Sequence, residues 1–341
     1  VNSELYHQLR NSAIQLQLVR EGKVGNVRLI DMAATPVVPV RPKRALVLAL
    51  AIAMGLLMGV LFAIARNAFF RGLRSPQEGE AATGLSVYST IPHSELQDEL
   101  ARKVADKQSG LHVLSQAFPQ DVAVESLRSL RTALQFAMLE AGNNRVVITG
   151  ATPGVGKSFV SANFAAVLAA GGKRVLLIDA DLRKGHLNQY FGIPRTNGMS
   201  ELIAGSIDFD IAIKRQLTPN LDMIPTGILP PNPAELVLSG AFARLLERLS
   251  DNYDLVVIDT APVLAAADTL SIATHAGTLL LVARAGQSQI GELHESARRL
   301  SHAGRVVTGV LFNAVDLTKR HFGHYGIKYG AYRCRQYSYH S

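Results

Sequence analysis

A nine-residue run, GATPGVGKS at residues 150–158, lies between the apolar residues Val146, Val147 and Ile148 and a helix-prone stretch opening with Phe159 and Val160. A glycine-rich turn that leaves a strand and enters a helix fixes a strand–loop–helix unit, and such a unit is a phosphate cradle. The glycines let main-chain N–H groups approach phosphate oxygens, Lys157 can reach the β- and γ-phosphates, and the Ser158 hydroxyl can ligate Mg2+. Gly150, Ala151, Thr152, Pro153, Gly154, Val155, Gly156, Lys157 and Ser158 are therefore the expected nucleotide-binding loop, with ATP and Mg2+ as the expected cofactors.

The 341 residues, 48% of them hydrophobic, have room for one large or two modest domains with a sizeable core. A formal net charge of +8 would suit an anionic partner, but the basic residues are scattered and form no aromatic-interleaved patch, so no nucleic acid is expected. The single cysteine, Cys334, cannot make an internal disulfide and fits a reducing compartment for the bulk of the chain. The chain opens at Val1 with neither Met nor a leader pattern, which leads us to expect a piece of something longer.

Residues 45–65, ALVLALAIAMGLLMGVLFAIA, carry no charge and are bounded by Arg41, Lys43 and Arg44 before and Arg66, Arg71 and Arg74 after. At 1.5 Å per residue such a helix crosses a hydrocarbon core of about 30 Å. We expect a transmembrane helix over 44–66. Basic residues flank both ends about equally, so they do not orient it. ATP and reducing conditions are cytoplasmic, which puts the phosphate loop inside and residues 1–43 in the periplasm. Residues 5–20 read as a helix, residues 22–34 have strand character, and Pro36, Pro39 and Pro42 stiffen the approach to the bilayer. Residues 67–110 read as a polar juxtamembrane linker.

From 111 to about 318, strand-like runs alternate with helix-like ones: residues 146–149, 174–178, 255–258, 278–282 and 306–312 read as strands. The expected fold is α/β, a P-loop NTPase-like, mostly parallel sheet with helices on both faces. Ligands bind at the C-terminal ends of such strands. Asp179 and Asp181 follow the run VLLI and Asp259 follows LVVI, so all three are expected beside the loop. One aspartate after a strand is commonly a cap, whereas three around one phosphate loop suit a Mg2+ and proton-handling cluster.

This ordered set resembles the cytoplasmic kinase module of bacterial tyrosine kinases, the polysaccharide co-polymerases that control capsule and exopolysaccharide synthesis. ATPGVGKS is similar to that family's Walker A loop, VLLIDADLRKG (175–185) to its second acidic motif and LVVIDTAPVL (255–264) to its Walker B. LPPNPAEL (229–236), ESLRSLRTAL (125–134) and GNVRLIDMAATP before the span also resemble family signatures. The resemblance implies an inner-membrane protein-tyrosine kinase with Lys157, Asp179, Asp181 and Asp259 as catalytic residues. Ser158, Asp179, Asp181 and Asp259 would hold the metal. It further implies that Glu125, Arg128 and Arg131 assemble a homo-oligomeric ring in which phosphorylation passes between subunits. A tyrosine phosphatase and the polysaccharide polymerase and export machinery would be further partners. Thr152 stands where partition-type ATPases carry a signature lysine, and Ala151 stands where the strict loop motif has Gly, with Gly150 expected to supply the backbone freedom.

Five of the nine tyrosines, Tyr325, Tyr329, Tyr332, Tyr337 and Tyr339, fall in the last 17 residues. Residues 319–341 are polar and lack apolar periodicity, so a flexible tail is expected, and its tyrosines resemble the family's phosphoacceptors. Two other functions fit parts of the pattern: a partition-type P-loop ATPase and a non-enzymatic chain-length scaffold. The tyrosine tail argues against the first, and the intact Lys157, Ser158 and aspartates argue against the second.

Overall fold

The computed structural model describes residues 2–22, 42–69, 72, 73 and 75–317. The strand-like and proline-rich residues 23–41 and the five tail tyrosines lie outside the described residues. The chain divides into two units, Val1–Ala65 and Arg66–Ser341.

The first unit holds the helix Asn2–Gly22, which covers the stretch read as helical, and most of the helix Arg44–Phe69. Over Arg44–Ala65 the mean hydropathy reaches 2.7 and none of the segment is buried. Leu, Ile, Val and Phe side chains face outward all round, a pattern that suits lipid and not water. Among the described residues it is the one helix long and apolar enough to cross a membrane.

The second unit is built on an eight-stranded sheet: β1 (Val87–Pro92), β2 (Arg145–Gly150), β3 (Val175–Asp179), β4 (Lys214–Thr218), β5 (Leu221–Ile224), β6 (Leu255–Asp259), β7 (Thr278–Arg284) and β8 (Gly309–Val315). Their order is β1-β8-β7-β2-β6-β3-β5-β4. All neighbours are parallel except β4 and β5. Successive side chains of a strand point to opposite faces. Val146, Ile148, Val175, Leu177 and Val257 accordingly pack on one face with the helices Val122–Ala137 and Lys157–Ala170. Val147, Leu176, Ile178, Val256 and Ile258 pack on the other with Gly240–Asn252 and Ile290–His302. The runs are apolar at every position because both faces are covered, as the sequence pattern predicts.

Three features depart from the sequence reading. The 67–110 stretch does not stay outside the domain: β1 pairs with β8, and Leu73 is buried, its N–H donating to Ser288 O at 2.8 Å while its carbonyl accepts from Gly286 N at 2.7 Å. The expected boundary at 111 therefore moves upstream, because one short apolar run among charged residues is enough for an edge strand. β4 and β5 were not read at all; β4 is largely exposed, and the two join through Pro219 and Asn220, the latter at φ 64°. A proline followed by a left-handed residue is turn chemistry that a search for apolar runs passes over. β8 begins at Gly309 and not 306, because Val306 is 76% exposed and lies outside the ladder.

Candidate nucleotide and phosphoryl-transfer site

The phosphate loop leaves β2 at the centre of the sheet and enters the helix Lys157–Ala170. Gly154 and Gly156 have φ of 80° and 96°, a region closed to most side chains. At Gly156 a Cβ would also fall on Asn313 Nδ2, which donates to Val155 O at 2.9 Å. Gly150 does a different job from the one expected. Its φ is ordinary, but a Cβ there would stand 2.6 Å from Val155 Cγ2 and 3.2 Å from Lys157 Cδ. It provides room for the returning lysine stem, and the next position, buried Ala151, tolerates a methyl group.

The loop is tied to its surroundings on two sides. From the segment after β6, Val263 N–H donates to Gly150 O at 2.9 Å and Leu264 N–H to Ala151 O at 3.1 Å. From the end of β7, Arg284 Nη1 donates to Gly154 O at 3.1 Å. Thr152 is half-buried, and Pro153 and Gly154 are exposed at the tip.

Asp259 ends β6 in register with Ile148 of β2 and with Asp179, the last residue of β3. Two hydroxyls of the loop helix serve its carboxylate: Ser158 Oγ donates to Oδ2 at 2.9 Å and Ser161 Oγ to Oδ1 at 2.8 Å. Lys157 is itself buried and lowers the Asp259 pKa, but burial outweighs it and the carboxyl stays above the usual range. Asp179, fully buried, is pushed up to about 8, first by desolvation and then by the charge of Asp259. Its Oδ2 accepts the Leu187 N–H at 3.0 Å.

Asp181 stands apart. Its Oδ1 accepts the main-chain N–H groups of Arg183 at 3.1 Å and Lys184 at 2.9 Å, so it organises its own turn. Among the described residues no three His, Cys, Asp or Glu side chains converge as a metal nest. The expected three-carboxylate cluster is thus a buried pair, Asp179 and Asp259, with Asp181 half-exposed on the adjoining turn. Mg2+ habitually takes one or two carboxylates and completes its shell with phosphates and water, so a hydroxyl beside one carboxylate suffices.

The helix Val122–Ala137 carries Glu125, Arg128 and Arg131. Arg128 Nη1 meets Glu125 Oε2 at 2.8 Å and its Nη2 donates to Pro119 O at 2.8 Å. Arg131 leaves the stripe and donates to Val167 O at 3.4 Å, at the carbonyl end of the loop helix. Sequence reasoning missed Ser161, Arg284 and Asn313. Ser161, about one helical turn after Ser158 in a mostly apolar helix, carried a readable signal. The other two come from β7 and β8, which only the sheet order brings to the loop.

Comparison with known proteins agrees with this geometry. Residues 1–68 match the family described as "G-rich domain on putative tyrosine kinase", and residues 144–292 match an AAA domain family. The chain is 52% identical over 339 residues to "Putative tyrosine-protein kinase EpsB" of Ralstonia solanacearum, covering 99% of this chain and 45% of that protein. It is 39% identical over 329 residues to "Tyrosine-protein kinase wzc" of Salmonella typhimurium, covering 95% and 45%. The chain spans about half the length of the curated relatives it matches. Among solved structures, the kinase domain of Escherichia coli tyrosine kinase ETK superposes with a TM-score of 0.68 at 41% identity, covering 73% of this chain and 97% of that one. The BceF tyrosine kinase domain gives 0.67 at 42%, covering 72% and 100%. With two solved kinase domains matched almost end to end, a glycine-rich strand–loop–helix turn at the centre of the sheet and, among the described residues, one span-length apolar helix, the chain belongs to the bacterial tyrosine kinase family.

Proposed function

We propose that the chain is an ATP-dependent protein-tyrosine kinase of the bacterial inner membrane that phosphorylates its own C-terminal tyrosines and regulates the polymerisation and export of capsular or exopolysaccharide. The observation that carries this reading is the Ser158–Asp259 hydrogen bond beside buried Lys157, at the C-terminal ends of adjacent strands. The loop amides and Lys157 hold the ATP phosphates. Two buried carboxyls in register, Asp179 and Asp259, are held above their usual pKa, and this hard-oxygen set with the Ser158 hydroxyl fits Mg2+. Ser158 and Asp259 would hold the ion, with Asp179 or Asp181 helping. Bound there, Mg2+ would neutralise charge on the β- and γ-phosphate oxygens.

The acceptor is a tyrosine hydroxyl, and Asp179 or Asp181 takes its proton. Asp179 has the environment of a base: a carboxyl near 8 holds a proton more strongly than an exposed one. The acceptors are Tyr325, Tyr329, Tyr332, Tyr337 and Tyr339 of a neighbouring subunit, in a ring joined through Glu125, Arg128 and Arg131. A phosphatase removes the phosphate by hydrolysis and restores the tyrosine hydroxyl. Residues 44–66 span the membrane, residues 1–43 are periplasmic, and the kinase domain is cytoplasmic, its sheet starting at β1.

The test is Lys157→Met in the full chain. Label from ATP is expected on the wild-type tail and absent from the variant, with melting unchanged. Phosphotyrosine on the variant expressed alone would overturn the mechanism. Hydrolysis of ATP by the wild type with no label on protein would return the partition-type reading.

A further inference from the structure

The turn that follows β3 is fixed at its outer edge by an ion pair between Arg183, inside the VLLIDADLRKG run, and Asp268, which lies beyond the runs quoted above. Arg183 Nε lies 3.1 Å from Asp268 Oδ1 and 3.4 Å from Oδ2, and Nη2 lies 2.9 Å from Oδ1. The Asp268 side chain is 0% exposed, whereas that of Arg183 is 43% exposed. A carboxyl group with no access to water needs hydrogen-bond donors from the protein, and a forked guanidinium is the donor whose geometry matches it.

What the pair joins gives it meaning. Asp268 opens the helix Asp268–Ala273, at the end of the segment that follows β6. That segment belongs to the frame of the phosphate loop: Val263 and Leu264 donate to Gly150 and Ala151, and Ala261 O accepts from Thr149 Oγ1 at 3.2 Å and from Thr269 Oγ1 at 2.8 Å. Arg183 belongs to the other side. Its own N–H and that of Lys184 fix Asp181 Oδ1, and Gly185 N–H donates to Asp181 O at 2.7 Å. The main-chain ladder between β3 and β6 ends at Asp179 and Asp259. Beyond that rung, the Ala180 N–H to Asp259 O bond of 2.8 Å and the Arg183–Asp268 pair tie the Asp181 turn to the loop frame.

We propose that Arg183 and Asp268 are positioning residues that clamp the Asp181 turn to the phosphate-loop frame and so set where Asp181 presents its carboxylate to the Mg2+-nucleotide. This rests on the kinase reading, but it makes a claim of its own about how the protein responds to Mg2+. Lengthening or loosening the clamp displaces Asp181 without touching Lys157 or the loop amides. Nucleotide should still bind while the Mg2+ requirement rises.

The experiment uses the full chain in detergent micelles with the variants Arg183→Gln, Arg183→Lys and Asp268→Asn. Binding of a fluorescent ATP analogue is titrated against Mg2+, and initial rates of phosphotyrosine formation give kcat and KM. Removal of an outer-shell orienting partner typically costs roughly 10- to 100-fold in metal affinity. Arg183→Gln is expected to show a Mg2+ requirement raised to that extent and a lower kcat, with KM for ATP nearly unchanged, and Arg183→Lys to recover part of both. A Gln variant that folds and keeps the wild-type Mg2+ dependence and kcat overturns the proposal. So does a loss of melting temperature with unchanged Mg2+ dependence in the folded fraction. If Arg183→Gln does not fold, Asp268→Asn decides, because it keeps the shape and an acceptor oxygen. A wild-type chain that binds Mg2+-nucleotide but labels no tyrosine sinks the kinase reading and leaves the Mg2+ titration a valid test of the clamp.

Discussion

The two flanks of the phosphate loop are built on opposite principles. On the β7 and β8 side, Arg284 and Asn313 donate into loop carbonyls, and the polar groups there are satisfied by the protein. On the β6 and β3 side, two carboxyls in register are buried together, served by hydroxyls and amides, in surroundings that disfavour their ionised forms. The first flank gives the loop its shape. The second holds an imbalance that a bound cation would relieve. A polar contact near a nucleotide loop thus says little about chemistry until one asks whether it is already balanced.

The comparison can be broken first at its charged flank. Asp259→Asn should lower the rate of tyrosine labelling by roughly 10²- to 10³-fold, the scale seen when one preorganised electrostatic group is removed. Melting should not fall, because burial opposes the charge that the substitution removes. Equal loss of rate and stability would make Asp259 part of the scaffold.

The next effect is on pH dependence. The Asp179 pKa is raised from 3.8 to about 8, so the folded state holds this proton more tightly than the unfolded chain does. The stability from that proton is full below about pH 4 and is lost as pH rises through about 8. Nucleotide-free wild type should therefore fall behind Asp179→Asn by a widening margin between those limits, and by a constant margin above them. Scanning calorimetry of both proteins across that range checks it.

On the balanced flank, Asn313→Ala removes the donor to Val155 O and should cost about 1–3 kcal/mol in urea unfolding, the penalty of an unsatisfied buried acceptor. Nucleotide affinity should fall only as far as the loop loosens. The smallest effect is expected far from both flanks. Glu125→Gln breaks an exposed i,i+3 pair and should change stability by only about 0.2–0.5 kcal/mol. If the ring reading holds, sedimentation should nevertheless show smaller assemblies.

Much of this architecture was legible because period and chemistry coincide at the centre of the sheet. The strands around residues 146, 175 and 255 are apolar at almost every step and end in a loop glycine or an aspartate, and the one at 278 is apolar through its middle. The long apolar helix was legible from its length and its lack of charge. What escaped was set by partners remote in sequence: β1 is a strand only because β8 lies beside it, and Arg284 and Asn313 reach the loop only through the sheet order. The local setting of Asp181 was hidden for a related reason: its spacing from Asp179 does not show that a turn beyond the strand turns one of its oxygens, Oδ1, to the amides of Arg183 and Lys184.

The edge strand β1 has a consequence for how the molecule is made. Its register partners Val310, Leu311, Phe312 and Val315 lie more than 200 residues further along the chain. During synthesis β1 emerges soon after the apolar helix and stays unpaired until β8 is complete. Loop closure over that distance is slow, and an unpaired edge is the surface that invites mispairing. The sheet is finished by its first and last strands meeting, so a chain that stops short of β8 would leave a strand exposed close to the end of the apolar helix.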